Sequence, residues 1–104
     1  MTPGDAEVFE ALAHWAVTLP ATFLLIQRDE RRLRGDELAR AWPPSSRDSA
    51  ILALWQLGLH PLAVAIHWAR TRASFAGFAM GALLFVLVEA LGIGAASAVE
   101  WLAL

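Results

Sequence analysis

Three histidines and one isolated glutamate carry most of the chemistry this sequence can offer. His14, His60, His67 and Glu89 each fall in stretches dominated by Ala, Leu and Val. An ionisable side chain is costly in such surroundings and tends to face protein, water or a cofactor. Ser49, Gln56, His60, His67 and Thr71 are spaced by seven, four, seven and four, the spacing that keeps side chains on one helix face. One use of that face is polar contact between helices, with Gln56 and His60 as the main donors and acceptors, at about 0.6 kcal/mol net per contact. The other is a cofactor. On antiparallel helices His14 and His60 would sit at depths differing by about 5 Å, and two imidazoles on neighbouring helices are what a b-type haem requires as axial ligands. Pro61 adds a free acceptor nearby, because it withholds a helical donor from the carbonyl of Leu57.

Glu89 has no Lys or Arg within the apolar stretches to pair with. Such a carboxyl either stays neutral and hydrogen-bonds to a neighbouring helix, or handles protons or cations. Gly77 and Gly81 form a GxxxG strip, continued backwards by Ala73. Small residues at this spacing let helix backbones approach closely, within one chain or between chains.

Other chemistries are missing. There is no cysteine, no Gly-rich phosphate loop, no GxSxG elbow and no HExxH helix, and no third ligand stands at a spacing suited to a histidine-bound metal. The Asp29-Glu30 and Asp36-Glu37 pairs lie among arginines, where ion pairing three or four residues away along a helix is the ordinary use. No catalytic residue is assigned, and the chain is not expected to be an enzyme. A net charge of −2, with arginines interleaved among acids, argues against nucleic acid as a partner.

The elements that must hold these residues follow from composition. Of 104 residues 58% are hydrophobic and only 17% charged, with a mean hydropathy of +0.52. A soluble domain this small needs more polar residues than that to cover its exterior. Eleven of the eighteen charges lie between Arg28 and Asp48. The remainder divides into blocks rich in Ala and Leu, both strong helix formers, and without the alternation of strands. The expected fold is all-α: a polytopic integral membrane protein of three transmembrane helices, over about residues 8–27, 50–69 and 74–91, each long enough to cross ~30 Å of hydrocarbon. An arginine-rich cytoplasmic loop fills 28–49, with Asp36 to Trp42 as either a short interfacial helix or an ordered loop. Gly92-Ile93-Gly94 breaks or kinks the last helix, leaving a helical extension over 95–104.

Six arginines fall in the first loop, two (Arg70 and Arg72) in the second, and none before the first span. The positive-inside rule then places the N-terminus outside and, after three spans, the C-terminus in the cytoplasm. Trp42, Trp55 and Trp101 would lie toward the inner interface, and Trp15 and Trp68 toward the outer. The use of Arg in place of Lys throughout suits a GC-rich bacterial genome, hence a bacterial inner membrane. The function expected is that of a small non-catalytic accessory subunit, partnered by the lipid bilayer and by other membrane subunits or copies of itself. The alternatives are an electron-transfer subunit holding haem b on His14 and His60, and a proton- or ion-translocating component using Glu89.

Overall fold

The computed structural model describes residues 3–103, apart from the side chains of Pro3, Pro44 and Ala103. In chain order the helices are α1 (Pro3–Glu30), α2 (Gly35–Arg40), α3 (Pro44–Gln56), α4 (Leu62–Arg72) and α5 (Phe75–Ala103). There is no strand among the described residues. α1 and α5, of 28 and 29 residues, are each about 42 Å long, enough to reach across a bilayer with its headgroups. By length and composition these two helices, and not three, could cross a membrane.

The block expected to be the second span is a helical hairpin instead. Its reversal is encoded in Leu57-Gly58-Leu59-His60-Pro61. Gly58 takes the left-handed conformation (φ +72°), which a residue with a Cβ adopts only at a cost. The Gly58 N–H donates to the Trp55 carbonyl at 2.9 Å and the Leu59 N–H to the Leu54 carbonyl at 2.8 Å. This is the paired bonding of a Schellman motif, which ends α3. Pro61 follows with no N–H to continue a helix, and α4 starts immediately after it. The carbonyl of Leu57 therefore does not lie inside a broken helix; the helix has already stopped.

Cross-contacts fix the direction of each element. α3 runs antiparallel to α1: Arg47, at its start, binds Glu30, and Trp55, near its end, packs edge-on against Trp15 at 5.5 Å between ring centroids. α4 runs back parallel to α1, with His60 beside Thr18 and His67 beside Asp29. α5 turns again and lies antiparallel to both, Gly81 against Ala65 and Trp68 of α4 and Gly92 against His14 and Thr18 of α1. The hairpin thus enters and leaves at the same end of the molecule. A core of Ile26, Ile51, Ala63, Val64 and Trp68 joins α1 to the hairpin.

Three further expectations change. α5 continues through Gly92-Ile93-Gly94 without a break, so no separate extension exists over the described part of 95–104. Ser74 starts it, its hydroxyl accepting the Gly77 N–H at 3.1 Å as an N-cap does. The face of Ser49, Gln56, His60, His67 and Thr71 is not continuous: the last three are buried, while Ser49 and Gln56 sit exposed on α3. Gln56 thus lies outside the buried part of that face. Because α4 points back, Trp68 lies at the arginine-rich end, where Arg72 stacks over it at 5.3 Å, and Trp101 at the opposite one.

All eight arginines consequently gather at one end, together with Asp29, Glu30, Asp36, Glu37 and Asp48. At the other end of α1 and α5 stand the acids Asp5, Glu7, Glu10 and Glu100, with no basic residue.

Candidate functional site

Two polar clusters are set along α1, about three turns apart. The first lies midway along the bundle and unites the residues singled out from sequence. Thr18 is fully buried, and its hydroxyl donates to the carbonyl of His14 one turn earlier at 2.9 Å, the usual way a helical threonine satisfies itself in apolar surroundings. With its single proton committed there, the hydroxyl accepts from Nε2–H of His60 at 2.5 Å. Nδ1 of His60 is then the bare nitrogen, buried and without a hydrogen-bond partner among the described residues. The His14 ring meets the His60 ring edge-on, 6.2 Å between centroids, and its Nε2 lies 3.6 Å from Oε2 of Glu89. His14 therefore pairs with α5, and not with Glu10 of its own helix.

Gly92 makes this arrangement possible. A Cβ there would collide with the Thr18 methyl group and stand 2.5 Å from Cδ2 of His14. Sequence reading took Gly92 for a helix break and missed this role. The available signal was its distance from Gly81: eleven residues are close to three full turns, so both glycines lie on nearly the same face of α5.

Haem ligation by His14 and His60 needs a bare nitrogen from each ring turned to a shared iron. Here Nε2 of His60 meets Thr18 and Nε2 of His14 lies 3.6 Å from Glu89, while Nδ1 of His60 is bare but buried, so the rings as placed do not present a matched pair of ligands. No group of three or more metal-ligating side chains occurs among the described residues.

The second cluster closes the arginine end. Asp29, buried near the end of α1, receives Nε2–H of His67 at 2.7 Å and two donors from Arg72, one of them at 2.6 Å. Burial holds the His67 imidazole below its ordinary value despite the neighbouring carboxylate, so His67 is a neutral donor and Arg72 supplies the balancing charge. Thr71 donates to the His67 carbonyl. Glu30 takes both of its bonds from Arg47, at 2.5 and 2.6 Å. Arg40 donates to the Thr71 carbonyl at 2.8 Å, satisfying one of the acceptors that a helix end leaves open, and Arg70 stacks over Trp42. Asp29 and Glu30 thus pair with residues 17 to 43 positions away, while Asp48 takes the adjacent Arg47. Local spacing carried no signal of this.

Gly77 and Gly81 are consumed within the chain. A Cβ on Gly81 would stand 2.8 Å from the Ala65 carbonyl oxygen, and one on Gly77 would collide with Cβ of Arg72. The two glycines set α5 against α4.

No protein-family model, curated protein or solved structure matches this chain. Function therefore rests on the two clusters and on the surfaces around them.

Proposed function

We propose that this chain is an integral protein of the bacterial inner membrane, with two spans and a hairpin that dips into the bilayer from the cytoplasmic face. On this reading it acts as a non-catalytic subunit of a larger membrane assembly. The observation that carries the membrane part is the segregation of charge. With every arginine at one end and only acids at the other, the positive-inside rule assigns the arginine end to the cytoplasm and the ends of α1 and α5 to the outside. A third span would have sent Arg70 and Arg72 outward; the hairpin brings them in. Exposed Phe75 and Trp101, at the two ends of α5, are about 39 Å apart along the helix, the separation of the two interfacial regions. Phe78, Leu83, Val86, Leu91 and Ile93 between them are also exposed.

The subunit role is supported by the open flank of the first cluster. The side chains of His14 and Glu89 are 23% and 31% exposed on an otherwise apolar surface, and acyl chains can offer them no hydrogen bond. A partner's polar group at this point would remove that cost. Purification in mild detergent is expected to bring down an assembly larger than one chain. Glu89→Gln keeps a hydrogen-bonding group and should keep the assembly, whereas Glu89→Leu should weaken association about threefold, the worth of one interhelical contact. A stable, inert single chain would contradict the proposal.

One observation favours a second reading, proton handling. Glu89, His14 and His60 are three titratable groups in contact at one depth, and intramembrane groups of this kind often relay protons. Here Glu89→Gln separates the two: it should abolish proton flux into reconstituted vesicles if the cluster is a relay, and leave assembly intact if the cluster is a contact.

A further inference from the structure

The arginine end has a feature that neither cluster uses. Between α1 and α5 lies an apolar groove of about 370 Å³, walled by Leu24, Leu25, Leu84, Leu87 and Leu91 and closed at its head by Arg28. A smaller cleft of about 200 Å³ adjoins it, sharing Leu25, Arg28 and Leu84 and adding Arg32 and Trp68. Asp29 also lines this cleft, but both its oxygens are engaged by His67 and Arg72.

Arg28 and Arg32 are one turn apart on α1, and neither meets an acid among the described residues. Arg47 has Glu30, Arg72 has Asp29 and Arg34 bonds backbone carbonyls; Arg31 likewise meets no acid among the described residues but lines a different cleft. Two like charges at this helical spacing repel unless an anion lies between them. From this juxtaposition, and resting on the membrane reading above, we infer that the groove is a binding site for one acidic glycerophospholipid of the cytoplasmic leaflet. An acyl chain lies along the leucines, and the phosphate is held by Arg28 and Arg32 beside the Trp68 ring. The volume is within the range of small-molecule sites. A planar guanidinium grips phosphate through two parallel hydrogen bonds, and basic residues beside a membrane helix are a recurrent means of holding anionic headgroups.

The test is native mass spectrometry of the intact chain in mild detergent, supplied with either dioleoyl phosphatidylglycerol or dioleoyl phosphatidylcholine. One phosphatidylglycerol per chain should be retained, with phosphatidylcholine held about thirtyfold more weakly, the combined effect of two arginines at a membrane surface. The double variant Arg28→Gln/Arg32→Gln should bring the two lipids level. Arg31→Gln removes an equal charge beside a different cleft, lined by Gln27, Leu38 and Arg47, and should change nothing. Millimolar glycerol 3-phosphate should not displace the lipid, because it has no acyl chain for the groove. Equal retention of both lipids, an equal loss in Arg31→Gln, or displacement by glycerol 3-phosphate would overturn the inference. A chain that requires detergent but shows no lipid preference defeats the site alone. One that stays dissolved without detergent defeats the membrane reading with it.

Discussion

Asp29→Ala is expected to lower the unfolding free energy by about 3 kcal/mol, the low end of the range for removing one member of a buried charge pair. The low end applies because Arg72, 27% exposed, can turn its charge to water once the carboxylate is gone, whereas His67, 1% exposed, cannot move its ring out. Asp29 joins the end of α1 to α4, so its loss should loosen the base of the hairpin. Asp29→Asn keeps an acceptor for His67 and should cost less, about 1.5 kcal/mol. Chemical unfolding in micelles, followed by helical circular dichroism, measures both. A change below about 0.5 kcal/mol for Asp29→Ala would mean that the cluster does not hold the hairpin in place.

A single methyl group should have opposite effects at two glycines of α5. At Gly81 the added Cβ meets backbone atoms of Ala65 at 2.8 and 3.0 Å and Cβ of Trp68 at 2.9 Å. None of these is the movable tip of a side chain, so α4 and α5 must separate, at about 2 kcal/mol for overpacking of this kind. At Gly94 nothing lies within 4 Å, and Gly94→Ala should stabilise by about 0.8 kcal/mol through helix propensity alone. Thermal melts of the two variants side by side test the pair. If Gly81→Ala were neutral, the close packing of α5 on α4 would be wrong.

Much of this fold was legible in the sequence, and the parts that were not share a physical cause. Length and composition marked out the apolar parts of α1 and α5, because an apolar run of about twenty residues has few other uses. Block two had the same composition and enough length to span, so Pro61 was read only as withholding a donor inside a continuous helix, and Gly58 drew no reading. The Schellman bonding that decides between a kink and a reversal is not visible in residue types alone. The error then propagated, since reversing α4 moves Trp68, Arg70 and Arg72 to the other end and disperses the face that contained Gln56. Gly92 failed in the opposite sense: a glycine pair in a helix can weaken it or bring a neighbour close, and only the presence of His14 and Thr18 opposite selects the second. His14 and His60 were recognised as a pair, and Glu89 apart from them. Their union across three segments depends on the hairpin, as does the pairing of Asp29 with residues some forty positions away.

The hairpin is thus the claim on which the rest depends, and the absence of native cysteine allows it to be tested directly. Four single variants, Asp5→Cys, Asp36→Cys, Leu57→Cys and Glu100→Cys, would be labelled in sealed, oriented membranes with a maleimide that cannot cross the bilayer. The account predicts labelling of positions 5 and 100 from one face, of position 36 only from the other, and little at position 57 from either. Labelling of positions 5 and 100 from opposite faces would mean that the hairpin crosses the membrane after all, and would contradict it.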